Sequence, residues 1–292
     1  MDDIRKSSGE VVVSDVTEKA RQMRADCLVM GLAAGNSGIH LGGSCSAIEI
    51  LATLYFGAMR FDPCNPGDFL RDRFVFSKGH GVPAQYAAFH QLGMISDDDL
   101  RTFKQAGSRL TGHPSLGRVD GVDFSSGSLG QGLSLGVGSC LALRRKSSGD
   151  ARVFVLMGDG ECDEGSVWEA AMSASHYGLD NLVAVVDANT LQYDGETSRV
   201  LDLGDLCGKW RAFGWEAVEV DGHDVAELSD AFVRPATGRP RAVIARTVKG
   251  KGFSFSENVA AWHHARLTRD LYFQGMKELG FSEEEASLRA EF

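Results

Sequence analysis

Ala151-Arg152-Val153-Phe154-Val155-Leu156-Met157-Gly158-Asp159-Gly160-Glu161 is an apolar run that breaks into a glycine–aspartate–glycine turn. Read as a buried strand over 151–157, a tight turn and a helix start, it decides the fold. Outward from it, Ser166 to Tyr177 has helical spacing and stops at Gly178, and Leu182 to Asp187 is a second buried strand. Arg73 to Ser77, Trp215 to Val220 and Pro240 to Thr247 add further strand candidates. Continuous apolar strands alternating with helices predict an α/β chain: a mostly parallel sheet flanked by helices on both faces. In such sheets ligands bind beyond the strand C-termini, and there the glycine clusters fall.

The first third of the chain reads as helical. Ala20, Met23, Cys27 and Met30 predict a helix from about Glu18 to Ala33. A Gly/Ser-rich turn over 36–44 delivers a second helix, Ala47 to Met59, and a third runs from Pro83 to about Leu92. Ser96-Asp97-Asp98-Asp99 is a helix start, with a serine cap and an acidic first turn. With no repeat and no linker-like run, residues 1–292 are expected to form one domain. Its core spans about 18–267, with a helical tail over about 268–292.

The chain has 292 residues, 43% of them hydrophobic, and a net charge of −10. The acidic balance argues against nucleic acid, which needs a basic face. No apolar run approaches the ~18 residues of a bilayer crossing, and the start, Met1-Asp2-Asp3-Ile4-Arg5-Lys6, lacks a signal peptide's apolar region. A cytoplasmic protein is therefore expected. Six scattered cysteines without C-x-x-C spacing suit a reducing compartment and argue against a zinc cluster.

Gly158-Asp159-Gly160 alone fits an ordinary strand-to-helix turn. It is no dinucleotide fingerprint, because Asp163 stands where the third glycine belongs. An acid between the glycines makes sense if a cation lies between it and a phosphate. Magnesium takes hard oxygens, commonly one or two carboxylates plus substrate phosphate. A second oxygen is then expected from the next strand end, where Asp187-Ala188-Asn189 stands. Gly-Asp-Gly, 28 intervening residues (161 to 188) and Asn189 together resemble the thiamin-diphosphate motif.

Four histidines lie in glycine-rich or loop contexts: Ile39-His40-Leu41-Gly42-Gly43-Ser44, Ser77-Lys78-Gly79-His80-Gly81, Thr111-Gly112-His113-Pro114 and Ala261-Trp262-His263-His264. Here the chain resembles the transketolase family, in which those contexts recur in this order. Ser126-Gly127-Ser128-Leu129-Gly130-Gln131-Gly132 and Lys249-Gly250-Lys251-Gly252 match as well, so the resemblance covers about residues 18–267. Two positions depart from the family pattern. Ile39 interrupts S-G-H, and Ser128 replaces a usual proline.

The resemblance implies a transferase moving a two-carbon ketol unit from a ketose phosphate to an aldose (phosphate) through thiamin diphosphate. Asp159, Asn189 and the Leu191 carbonyl would hold Mg²⁺, for which Ca²⁺ or Mn²⁺ can substitute. Gly158, Gly160, Glu161 and His80 would lie against the diphosphate, and Gly127 and Leu129 against the aminopyrimidine. His113 would meet the substrate's terminal hydroxyl. His40 and His263 would shuttle protons, His263 also touching the cofactor; by spacing His263 is preferred to His264. Glu164 would lie at a subunit interface, a structural salt bridge being its competing reading. His223 reads as a loop residue, and Trp210 and Trp215 as packing. In the family, further domains supply the aminopyrimidine glutamate and most substrate-phosphate contacts. The chain is thus expected to be the N-terminal subunit of a split transketolase, active only with a C-terminal subunit, in an α2β2 assembly. Competing readings are a 2-oxo-acid dehydrogenase α-like or deoxyxylulose-phosphate synthase-like subunit, or a non-catalytic assembly subunit.

Overall fold

The computed structural model describes residues 13–146, 150–235 and 237–291; Met1 to Lys6, read above for a signal peptide, lie outside them. Five strands build one parallel sheet: β1 (Arg73–Phe76), β2 (Val153–Gly158), β3 (Leu182–Ala188) and, beyond a small antiparallel hairpin β4 (Leu191–Gln192) and β5 (Gly195–Glu196), β6 (Glu216–Asp221) and β7 (Arg241–Arg246). Their order is β1-β2-β3-β7-β6, every neighbouring pair parallel. All five strand readings therefore hold to within a residue or two at their ends. Gly158 stands opposite Asp187 in the β2–β3 register, so the two motif-bearing tips are neighbours.

Strand alternation sorts the core onto two faces. Phe154, Leu156, Val183, Val185, Val243 and Ala245 point into one apolar cluster, shared with α1 (Val13–Ala34), α3 (Ile48–Thr53), α4 (Val82–Gln91) and the helix over Val225–Val233. Val153, Val155, Met157, Ala184, Val186 and Ile244 point into the other, under the helices Gly132–Arg145, Gly165–His176 and Leu206–Ala212. Trp210 and Trp215 are buried in that second cluster, as packing residues. The tail folds as helices Arg269–Glu278 and Glu283–Arg289, the first seated on α1 through Gly275, where an added Cβ would meet Leu28 Cδ1 at 2.8 Å.

Two expectations change. The helix read from Ala47 to Met59 is divided. A short helix, α2 (Leu41–Cys45), already occupies the glycine-rich turn, α3 follows, and Leu54–Ala58 closes as a π-turn in which Met59 N–H donates to the Leu54 carbonyl at 2.9 Å. The helix Gly132–Arg145 has no expected counterpart. Its Gly132, Gly136 and Gly138 lower helix propensity and blur the apolar period.

Gly132 shows why a glycine is needed there. A Cβ on it would lie 2.2 Å from Ser77 Oγ and 2.9 Å from Ser77 Cα, whereas nothing lies within 4 Å of one on Gly138. Gly132→Ala is expected to lower stability by about 1–3 kcal/mol through overpacking. Gly138→Ala should leave it equal or raise it by up to about 1 kcal/mol. Urea unfolding of both variants checks the pair: equal midpoints would contradict the close approach.

Candidate active site

Asp159 follows the last residue of β2 and is 6% exposed, so its carboxylate must find partners. Gly160 N–H donates to Oδ1 at 2.9 Å, and Thr190 N–H to Oδ2 at 2.7 Å. Thr190 has a φ of 65°, which turns its N–H back toward β2. Asn189 Oδ1 accepts from Leu191 N–H at 3.2 Å. One strand tip is thus bonded to the turn leaving the next, and Asp159, Asn189 and Leu191 meet.

This donor set can be tested against a metal. Among the described residues, no group of three or more His, Cys, Asp or Glu side chains could hold a cation unaided. One carboxylate, one amide oxygen and one backbone carbonyl form an incomplete shell of hard oxygens. Such a set suits Mg²⁺, whose remaining positions go to phosphate and water, and not a thiolate- or imidazole-seeking ion. The Leu191 carbonyl already accepts from Lys249 Nζ at 2.7 Å; a carbonyl has two lone pairs, and one remains.

Behind the tips lies a buried charge cluster. Asp187 has no exposure and accepts from Lys78 Nζ, from Thr247 Oγ1 and from Ser46 Oγ, the last at 2.7 Å. Burial alone would raise its carboxyl, but Lys78 and these donors hold it below the usual range. Asp159 goes the other way, to about 6, through burial and then the charge of Asp187. Burial and then Lys78 bring Lys249 down to about 8. Glu161, expected to meet the cofactor, lines the cavity with its carboxylate committed elsewhere: it accepts from Ser77 Oγ, Gly130 N–H at 2.8 Å and Gly158 N–H at 3.2 Å, tying three loops together.

In front of the tips is a cavity of about 160 Å³. Its walls include Lys78, His80, Leu129, Asp159, Asn189 and His263. The His80 and His263 rings stack at 5.0 Å with a 27° tilt. His40 adjoins them, its ring centroid 5.4 Å from His80, 5.7 Å from His263 and 5.9 Å from His113. The four expected histidines, from four separate loops, therefore form one cluster. Burial, then the other basic groups, push His40 down to about 3, and burial and then Lys249 push His263 down to about 4. His80 and His113 shift the same way, burial again leading.

Gly127 is exposed beside His113, whose Cδ2 would lie 3.5 Å from an added Cβ. Glu164 is exposed and has no ion pair among the described residues. His223 is structural: its Nδ1 meets Glu49 at 2.9 Å and its Nε2 accepts from Val248 N–H at 2.8 Å. The sequence reading gave no role to Lys78, Lys249, Asp187 or Tyr193. The first two stand inside the quoted glycine motifs, and a lysine just after an apolar run and directly before a glycine was the available signal. Tyr193, 70% exposed with its ring 5.2 Å from His263, carried none.

A parallel sheet presenting tip oxygens to a small basic cavity is the thiamin-diphosphate-binding fold. The family described as "Transketolase, thiamine diphosphate binding domain" matches residues 16–292. The chain is 41% identical over 242 residues to one subunit of an apulose-4-phosphate transketolase from Phocaeicola vulgatus, covering 82% of this chain and 85% of that one. It is 44% identical over 242 residues to a 6-deoxy-6-sulfo-D-fructose transketolase subunit of a Clostridium species, covering 82% and 88%. The transketolase structure from Campylobacter jejuni superposes with a TM-score of 0.86 at 27% identity, covering 96% of this chain and 46% of that one. The chain thus spans less than half the length of such solved transketolases. It belongs to the transketolase family.

The lowered histidines set an acid-side dependence of stability. His40 and His263 take up a proton near 6.5 when unfolded but resist it down to about 3 and about 4 when folded. Between those values the unfolded chain binds more protons. The stability these groups contribute is complete above the unfolded value and is lost as pH falls toward the folded ones. The thermal midpoint of a His40→Gln/His263→Gln double variant should fall less between about pH 7 and about pH 5 than that of the parent chain. Parallel slopes in a melting series would refute this.

Proposed function

We propose that this chain, as one diphosphate-binding unit, is the N-terminal subunit of a two-component transketolase, with thiamin diphosphate and Mg²⁺ as cofactors. The observation that carries the reading is the Asp159 carboxylate bonded to the Asn189–Leu191 turn, facing four clustered imidazoles. The bound cofactor supplies an electron sink for breaking and forming a carbon–carbon bond. Everything else falls to protein groups. Asp159, Asn189 and the Leu191 carbonyl hold the cation. Lys78, Lys249 and His80 surround the diphosphate with positive or donor groups, and Gly158 and Gly160 let it approach the backbone. Leu129 and Gly127 present a wall to the ring system. His40 and His263, neutral at pH 7, can take a proton from a substrate hydroxyl and return it. His113, exposed at the rim, can bond a terminal hydroxyl.

Exposed Glu164, without an ion pair among the described residues, and the subunit names of the two relatives support a separate C-terminal chain joined in an α2β2 assembly. Those names also direct the choice of substrates: apulose 4-phosphate and 6-deoxy-6-sulfo-D-fructose belong beside ordinary ketose phosphates. No helix among the described residues is long and apolar enough to cross a membrane, in keeping with the cytoplasmic location we assign.

The chain alone should show no ketol transfer above background, and addition of the C-terminal subunit with Mg²⁺ and thiamin diphosphate should restore it. Robust turnover by the isolated chain would sink the two-component reading, and turnover of pyruvate in place of ketose phosphates would sink the substrate class. Asp159→Asn, which removes the one anionic metal ligand, should weaken cofactor affinity of the assembled enzyme by at least about 100-fold, the upper end of what loss of even an outer-shell group costs. Calorimetric titration checks this, and wild-type affinity would remove Asp159 from the metal site.

A further inference from the structure

One imidazole at the mouth of the site has no role in that scheme. His264 is exposed and lies outside the cavity, against the outer side of the cluster. Its ring centroid is 4.5 Å from that of His40, nearer than His80, His113 or His263. Its Nε2 stands 3.1 Å from the Ser37 carbonyl oxygen. A carbonyl only accepts, so Nε2 carries the hydrogen, and Nδ1 of the neutral ring is left as an acceptor. Nδ1 has no hydrogen-bond partner among the described residues.

Two backbone features fix the ring in place. Gly38, at φ +61°, leaves room for it: an added Cβ would lie 3.0 Å from His264 Cε1 and 3.1 Å from Nε2. Ile39 is fully buried and exchanges two hydrogen bonds with Ala265, Ile39 N–H to the Ala265 carbonyl at 2.8 Å and Ala265 N–H to the Ile39 carbonyl at 3.1 Å. The residue that interrupts the family's S-G-H pattern is thus the one that staples the His40 loop to the His264 loop. From the other side Lys104 Nζ donates to the Ser37 and Gly38 carbonyls at 2.9 Å each. The loops carrying His40 and His264 are therefore held as a unit. The rim so formed consists of His40, His113, His264 and Lys104, none paired with a carboxylate among the described residues.

We propose that His264 determines donor specificity, its Nδ1 accepting a hydrogen bond from a ketose hydroxyl farther from the carbonyl than the oxygens met by His40. This rests on the ketol-transfer reading above. A hydroxyl is the matching group because it donates. A phosphate oxygen, which only accepts, would find no partner at Nδ1.

The test uses the assembled two-subunit enzyme and two donors: xylulose 5-phosphate, and hydroxypyruvate, which carries the ketol unit without distal hydroxyls. His264→Phe keeps a ring against His40 and removes the acceptor. The ratio of kcat/KM for xylulose 5-phosphate to that for hydroxypyruvate should fall about tenfold, through KM, as expected for one lost hydrogen bond in a closed site. His264→Gln, whose amide oxygen can accept, should recover part of the loss. An unchanged ratio in His264→Phe, or an equal loss with both donors, would overturn the proposal, the second outcome making His264 only a support for His40. A wild-type assembly inactive with both donors, and also with apulose 4-phosphate and 6-deoxy-6-sulfo-D-fructose, would overturn the transketolase reading and this one with it. A wild-type assembly active with both, beside an indistinguishable His264→Phe enzyme, would overturn this one alone.

Discussion

A carboxylate with no exposure to water holds the site together. Asp187, on the central strand, accepts from Lys78 after β1, Ser46 between α2 and α3, and Thr247 after β7, while its backbone carbonyl accepts from Asp159 N–H at 3.1 Å. Four segments far apart in sequence are thereby fixed at the C-terminal end of the sheet. A buried ion pair contributes little net stability, but losing one partner strands the other charge at a cost of about 3–5 kcal/mol. The contribution of the pair is to position: it holds Lys78 beside the strand end that also anchors Asp159.

That arrangement sets the electrostatics of the cavity. Burial, and then the charge of Asp187, raise Asp159, leaving a carboxylate for which a cation is the natural partner. Lys78 and Lys249 oppose protonation of the nearby imidazoles, with burial contributing most. The result is a region whose histidines are neutral at ordinary pH and whose lysines remain available for anionic groups. Neutral imidazoles can both give and take a hydrogen bond, which proton transfer between hydroxyls requires.

The fold was legible because the two central strands are continuously apolar over Val153–Met157 and Leu182–Val186, each too short for a typical helix and rich in valine, and the first ends in a glycine motif. The meeting of the two motif-bearing tips was legible for the same reason, since adjacent parallel strands bring their ends together. Less visible were features with no local pattern. Helix Gly132–Arg145 is set by close contact of Gly132 with Ser77 and of Gly136 with Val155, a tertiary fact. Glu161 reads from the sequence as a cofactor contact, and what the sequence does not display is that its carboxylate also ties down Ser77 and Gly130, both far away along the chain. Ile39 looked like a disturbance to the His40 loop, and its burial and its bridge to Ala265 emerge only once the two loops are side by side.

The exposures around the cavity argue for a site completed from outside. Its floor is buried: Asp159, Asn189 and Lys249 are each nearly without solvent contact. Its rim is open, with His113, Gly127, Ser128 and Tyr193 exposed, the last an aromatic ring standing edge-on to His263 at 70% exposure. Proton transfer among hydroxyls and a carbon nucleophile calls for exclusion of water, and a rim of exposed glycine, serine and tyrosine does not exclude it. The Gly127 loop also carries Leu129, a half-buried aliphatic wall of the cavity, and beside its Gly130 stands Glu164, an exposed acid without an ion pair among the described residues. A second protein surface carrying the opposing wall would bury Tyr193 and Leu129, close the cavity, and leave the imidazole cluster reachable from the side where His264 stands.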